Sequence, residues 1–143
     1  MPVSPDFKDS LFQVSALLAR RLAVVLRDAL APHGLHPAQF VALNEIAARE
    51  GLTQAELAIR LEVEQPGVAR TLSALSADGW IERSTLGKGR AQGLYLSQRA
   101  RTVLPQATAA VAAAERRAMV SLGRTEAALL VDALAMLAAD IRD

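Results

Sequence analysis

The polar residues with the clearest chemical purpose lie between positions 53 and 90. Gln65, Arg70, Thr71 and Ser73 fall close together, and Arg83, Lys88 and Arg90 follow, the last two in a glycine-rich run, Gly87-Lys88-Gly89-Arg90. Amide and guanidinium side chains on one short segment can form paired hydrogen bonds to base edges, and a basic tip beside them can grip phosphate or enter a narrow minor groove. Thr53 and Ser73 add hydroxyls of the kind that hold a nucleic-acid backbone. The competing reading of these residues is a solvated helix face and a soluble hairpin tip, and Arg83 could equally pair with Glu82 or Asp78.

Other chemistries are poorly supplied. The chain has no Cys, which removes disulfides, thiolate nucleophiles, thiol redox sensing and Cys-containing zinc sites. Its two histidines, His33 and His36, have no third partner and no Ser or Asp at a spacing that suggests a triad, so metal ligation and nucleophilic catalysis are not expected. His36, before Pro37, reads as a helix-entry residue, and the pair leaves open a proton-sensitive role at a pocket mouth. Gly87-Lys88-Gly89 lacks the rest of a phosphate-binding loop. The expectation is a protein that is not an enzyme and needs no cofactor or metal.

These residues must be positioned by elements whose signals are mostly helical. From Phe7 to Ala31, Leu11, Val14, Leu18, Leu22, Val25 and Ala29 recur at intervals of three and four, predicting one long helix that stops at Pro32-His33-Gly34. A second opens at Pro37, carries Phe40, Leu43, Ile46 and Ala47 on one face, and ends before Gly51. Thr53-Gln54-Ala55-Glu56 is a capping box, in which the Thr hydroxyl accepts from the Glu amide and the Glu carboxylate from the Thr amide, so a third short helix starts there. A fourth opens around Gln65-Pro66, carries Val68, Leu72 and Leu75, and stops at Asp78-Gly79. Two short helices about a tight turn form a helix-turn-helix, with the fourth as recognition helix. Trp80 to Arg83 and Gly93 to Leu96 then read as two strands of a hairpin, a wing, with the basic glycine-rich run at its tip. Ser97 caps a fifth helix reaching about Leu122, with a kink expected at Pro105, and a sixth runs from near Thr125 to Ile141.

Composition agrees. Of 143 residues, 29 are Ala and 22 Leu, and hydrophobic residues make up 52%, which favours helix over strand. Such richness with few aromatics is unusual for a small monomer and points to a partner covering an extra apolar face. Sixteen Lys+Arg against fifteen Asp+Glu leave a net charge of +1, so nucleic-acid binding must rest on local placement. Between Thr53 and Arg90, Arg60, Arg70, Arg83, Lys88 and Arg90 are balanced by Glu56, Glu62, Glu64, Asp78 and Glu82. The apolar run Ala127 to Ala139 is interrupted by Asp132 and is shorter than the roughly 20 residues of a bilayer span. The start, with Asp6, Lys8 and Asp9, lacks a basic signal-peptide region. A cytoplasmic protein without a membrane partner is expected.

Four segments together resemble the MarR family of bacterial transcriptional regulators: Leu35-His36-Pro37-Ala38-Gln39-Phe40-Val41-Ala42-Leu43, Gly51-Leu52-Thr53-Gln54-Ala55-Glu56-Leu57-Ala58, Gln65-Pro66-Gly67-Val68-Ala69-Arg70 and Asp78-Gly79-Trp80-Ile81-Glu82-Arg83. Leu96-Ser97 matches where the wing runs into the fifth helix. Two departures stand out. The wing carries Lys88-Gly89-Arg90 where the family commonly has D-x-R, so the Arg is kept and the Asp is replaced by a base, and the fourth helix has few of the usual Ser and Thr near its start. The resemblance implies a mostly α fold: a winged helix-turn-helix with long N- and C-terminal dimerisation helices and one β-hairpin wing. Within a single domain over 1–143, residues 7–34 and 97–143 would dimerise and 35–96 would form the winged lobe.

It further implies a homodimeric regulator of double-stranded DNA, expected to be a repressor on a pseudo-palindrome with half-sites about one helical turn apart. Gln65 and Arg70 would face the major groove, Thr53 and Ser73 the backbone, Thr71 would join the DNA-binding set, and Arg83, Lys88 and Arg90 would make the wing's contacts. A small-molecule effector, an aromatic or apolar acid, would sit between the first two helices and the lobe, around Phe12, Phe40 and Asn44. The absence of Cys makes ligand binding the expected switch. The alternative is a winged-helix interaction module with weak or no specific DNA binding, which the neutral lobe keeps open.

Overall fold

The computed structural model describes residues 10–85 and 91–141. Within them the order is α1 (Leu11–Leu30), a 3-10 turn (Ala31–His33), α2 (Pro37–Ala48), α3 (Gln54–Leu61), α4 (Gln65–Ala77), β1 (Ile81–Thr85), β2 (Gln92–Leu96), α5 (Gln98–Ala118) and α6 (Arg124–Asp140). The caps explain most boundaries. The Ser10 side chain accepts from the Gln13 amide at 3.2 Å and starts α1. At α3, Thr53 Oγ1 accepts from the Glu56 amide at 3.2 Å while the Thr53 amide donates to Glu56 Oε2 at 2.8 Å, so the capping box forms as its spacing predicts. Ser97 opens α5 by accepting from the Ala100 amide at 3.2 Å. That helix continues through Pro105 and ends at Ala118, earlier than its periodicity suggested.

The core lies in the lobe. Leu43 and Ile46 of α2, Leu57 of α3, Leu72 and Leu75 of α4 and Trp80 before β1 are fully buried. Each such aliphatic side chain contributes about 1.5–3 kcal/mol of burial. Gln39 is the buried polar side chain of this cluster, and its Oε1 accepts from the His36 amide at 3.0 Å, closing the first turn of α2. The turn between α3 and α4 contains Glu62 in the left-handed region (φ 53°), where an L side chain costs about 1–2 kcal/mol that glycine would not.

β1 and β2 pair antiparallel, with Ile81 opposite Leu96 and Arg83 opposite Leu94. The outer edge of β2 is also occupied: the Gly51 amide donates to the Leu94 carbonyl at 2.8 Å, and the Leu94 amide to the Leu52 carbonyl at 2.9 Å. The two backbones approach so closely that a Cβ at Gly93 would stand 3.1 Å from the Gly51 carbonyl oxygen, a tight contact that glycine avoids. Arg99 of α5 lies over the Trp80 ring, 3.9 Å from its centroid, and ties the base of the hairpin to the helical end of the chain.

The terminal helices contrast with the lobe. α1 packs along α5 but fully buries Leu30 alone, and the stripe Leu11, Val14, Leu18 and Leu22 is exposed. α6 buries none of its side chains, leaving Leu129, Val131, Leu134, Met136 and Leu137 open. Among the described residues no helix is long and apolar enough to cross a membrane.

Candidate nucleic-acid interface

α4 divides into two faces. Val68, Leu72 and Leu75 are sunk in the core, whereas Gln65, Arg70 and Ser73 are exposed. Arg70 and Ser73, three residues apart, share its outward face, and Gln65 is exposed at its first turn. Thr71 takes a different position. It is half-buried, its hydroxyl donates to the Gly67 carbonyl at 3.2 Å, and it lines an apolar cavity of about 390 Å³ with Pro37, Val41, Leu57, Leu61 and Val68. Thr53 sits at the start of α3, its oxygen engaged by the cap, with its hydroxyl hydrogen still available to a phosphate.

The basic residues around this surface differ in whether they are paired. Arg60 Nε donates to Glu45 Oε2 at 2.7 Å, so one of the lobe's bases is neutralised from α2. Arg70 and the exposed Arg83 on β1 form no ion pair among the described residues, and Arg83 pairs with neither Glu82 nor Asp78. Lys88 and Arg90 lie outside the described residues. β1 packs against α4 and β2 against α2 and α3, so the two strands lie beside the helix-turn-helix.

The predicted pocket residues separate. Phe40 packs against the core, and Asn44, one turn further along α2, donates from Nδ2 to the Phe40 carbonyl at 2.8 Å. Asn44 lines an open cavity of about 800 Å³ with Ala47, Glu50, Leu96, Arg101 and Leu104. Phe12 does not reach that lining and stands 80% exposed on the first turn of α1. Sequence reasoning missed Glu50 and Arg101, which meet at 2.7 Å. They are 51 residues apart and belong to no local motif, so no signal along the chain could have joined them.

A core-mounted helix with a polar outer face, a capped helix before it and a strand pair after it define a winged helix-turn-helix. A family model, the MarR family, matches residues 33–91. The chain is 33% identical over 110 residues to the HTH-type transcriptional repressor Rv2887 of Mycobacterium tuberculosis (strain ATCC 25618 / H37Rv), covering 73% of this chain and 79% of that protein. A shorter match, 35% over 65 residues, relates it to the uncharacterized HTH-type transcriptional regulator YwoH of Bacillus subtilis (strain 168); it covers 46% of this chain and about half of YwoH, 47%. Among solved structures, the transcriptional repressor CouR bound to a 23-mer DNA duplex has a TM-score of 0.87 at 28% identity, covering 96% of this chain and 99% of that one. Rv2887 in complex with salicylic acid gives 0.72 at 27%, covering 90% and 96%. The chain belongs to the MarR family of winged-helix transcriptional regulators. These relatives are named as transcriptional regulators, not enzymes.

Proposed function

We propose that the protein is a homodimeric repressor that reads a pseudo-palindromic operator with α4 and the wing and is released by a small acidic effector. The observation that carries the reading is the two-faced α4: Val68, Leu72 and Leu75 hold it in the core while Arg70 and Ser73 face outward and Gln65 is exposed at its first turn. Gln65 and Arg70 are the groove-facing residues, Ser73 and Thr53 contact the backbone, and Thr71 supports the helix from its inner flank. Arg83 leads into the wing, where Lys88 and Arg90 supply the phosphate or minor-groove contacts.

Residues 35–96 act as the DNA-binding lobe, and the flanking segments 7–34 and 97–143 as the dimerisation helices. The uncovered apolar faces of α1 and α6 support the second copy, because an exposed patch of that kind marks an interaction surface. Phe12, far out on α1, belongs to that surface, and the partner's helices would complete the effector pocket around Phe40 and Asn44. The relatives support the ligand class: CouR is seen on DNA and Rv2887 with salicylic acid. An effector releases DNA only to the extent that it prefers the lobe arrangement that does not bind. The site is a cytoplasmic one in this reading, facing DNA and not a membrane.

Selection from a random double-stranded DNA pool at low salt tests the function. The expected result is enrichment of an inverted repeat with half-site centres about 10 base pairs apart. Failure to enrich any sequence replaces the reading with an interaction module using the same lobe, a use that the exposed Ile59 and Val63 beside α4 would favour.

A further inference from the structure

Four segments of the chain converge on one side chain at the C-terminal end of α4. The helix stops in a glycine turn: the Gly79 amide donates to the Ser76 carbonyl at 3.2 Å and the Trp80 amide to the Leu75 carbonyl at 2.8 Å, with Gly79 in the left-handed region (φ 75°). Those bonds do not use the Asp78 carbonyl, which stands at the negative end of the helix dipole. Arg99 of α5 takes it. Its Nη1 donates to that oxygen from 21 residues away, while the guanidinium lies over the Trp80 ring, 3.9 Å from the centroid. Gly34, which follows α1 and its 3-10 turn, comes against the same pair: a Cβ there would stand 3.9 Å from both Arg99 Nη2 and Trp80 Cζ2. The Ser97 amide completes the set by donating to the Trp80 carbonyl at 3.0 Å.

Arg99 is itself exposed, yet the indole beneath it is 1% exposed. Trp80 Nε1 finds no hydrogen-bond partner among the described residues, so packing and the cation over the ring are what hold the indole. α5 packs mainly on α1, and also on α2, β2 and the 3-10 turn. Among the described residues, the Arg99 side chain makes the one direct hydrogen bond between α5 and the end of α4. Val68, Leu72 and Leu75 fix α4 within the lobe, and what Arg99 adds is the angle of that lobe to α5. The lever is long. From Asp78 back to Gln65 the helix measures about 20 Å, so a swing of about 10° about the Asp78 end moves Gln65 by about 3 Å, close to the rise of one base pair.

We propose that Arg99 is a positioning residue that sets which half-site spacing the dimer accepts, by clamping the end of α4 and Trp80 to α5. The inference rests on the DNA-binding dimer proposed above and names the residue that decides its spacing. Arg99 makes no contact with DNA in this account. Base preference within a half-site stays with α4 and the wing, and Arg99 governs only how the two lobes stand relative to their dimer arms.

The test is competition binding of the full chain to an inverted repeat enriched from the random pool, with one base pair inserted or removed at its centre. For the wild type, each change of spacing is expected to weaken binding about tenfold or more, the scale of one mismatched base pair. Arg99→Gln should cut that penalty by about two- to fivefold per lobe, the factor an exposed cation–π contact carries, while a base change inside a half-site keeps its wild-type cost. Emission from Trp80, the single Trp, should shift to the red and open to acrylamide quenching in the same variant. Arg99→Lys keeps a cation and a donor, so it should restore the spacing penalty and most of the shielding. An Arg99→Gln variant with the wild-type spacing penalty, an Arg99→Lys variant no better than Arg99→Gln, or a Trp80 signal unmoved by Arg99→Gln would each overturn the clamp. So would an Arg99→Gln variant that loses base preference inside the half-sites, because Arg99 would then act on DNA, or one whose urea midpoint collapses, because Arg99 would then hold the fold and not an angle. A wild-type chain that enriches no inverted repeat refutes the repressor reading, whereas a repeat bound at one spacing by wild type and Arg99→Gln alike refutes the clamp alone.

Discussion

Between Leu35 and Leu96 most of the described bulky apolar side chains are inside, with Leu43, Leu57, Leu72, Leu75, Trp80 and Leu94 at or near zero exposure and Val41, Ile59 and Val63 exposed, whereas along α6 from Arg124 to Asp140 none is buried. Both regions are rich in Leu and Ala and both are helical. They differ in what covers them. In the lobe, α2, α3, α4 and the hairpin close on one another, so each helix finds its apolar face matched within the chain. α6 has 17 residues, little longer than the roughly 12–15 at which an isolated helix is marginal in water, so its persistence requires a surface to lie against. α1 is intermediate, with its C-terminal half packed on α5 and its N-terminal stripe open. The lobe closes on itself within the chain, and the terminal helices leave apolar faces uncovered.

Substitutions that act on each part in turn should separate them. The largest effect is expected inside the lobe: Leu72→Ala should cost about 2–5 kcal/mol of stability, read by urea denaturation with the fluorescence of Trp80, the single Trp. Leu134→Asp on α6 should instead leave the Trp80 signal intact and lower the mass seen in sedimentation; if the mass is unchanged, the contrast between the two regions fails. Next in size is Arg70→Ala, which should relax sequence preference at one operator position by about 1–3 kcal/mol, measured by competition binding, with no loss of folding. A uniform loss over all sequences would make Arg70 a phosphate contact.

Smaller still, Glu62→Gly should stabilise the lobe by about 0.4–1 kcal/mol, because the left-handed turn residue then carries no Cβ. A thermal midpoint that falls would show that the Glu62 side chain contributes more than its backbone costs. The least effect is expected from pH at Glu50. Because Arg101 lowers its carboxyl in the folded chain, the contribution is fully present above the ordinary carboxylate range and is lost as pH falls through the depressed value. The stability difference between wild type and Glu50→Gln should therefore be visible at neutral pH and shrink in acid; a difference that grows in acid would contradict the pairing.

What could be read along the chain was what is local. The Thr53-to-Glu56 capping box, the proline starts of α2 and α4, the stop at Asp78-Gly79 and the pairing of the two strands each follow from residues within a few positions of one another. The face of Thr71 was not legible, because whether a helix residue points outward is decided by α2 and α3 packing beside it. Nor was the contact of Glu50 with Arg101, made by distant segments meeting over β2, or the 3-10 turn after α1, where Pro32 tightens the last turn. The exposed stripe of α1 was visible as apolar periodicity, and only the fold distinguishes a stripe that finds its cover within the chain from one that does not.

The most direct measurement is the composition of the complex with DNA. Sedimentation of the full chain with a duplex enriched from the random pool should give two chains per duplex, and mutation of either half of the inverted repeat should weaken binding of the pair. One chain per duplex, or a site in which only one half matters, would contradict the account of a lobe complete in itself and terminal helices completed by a second copy.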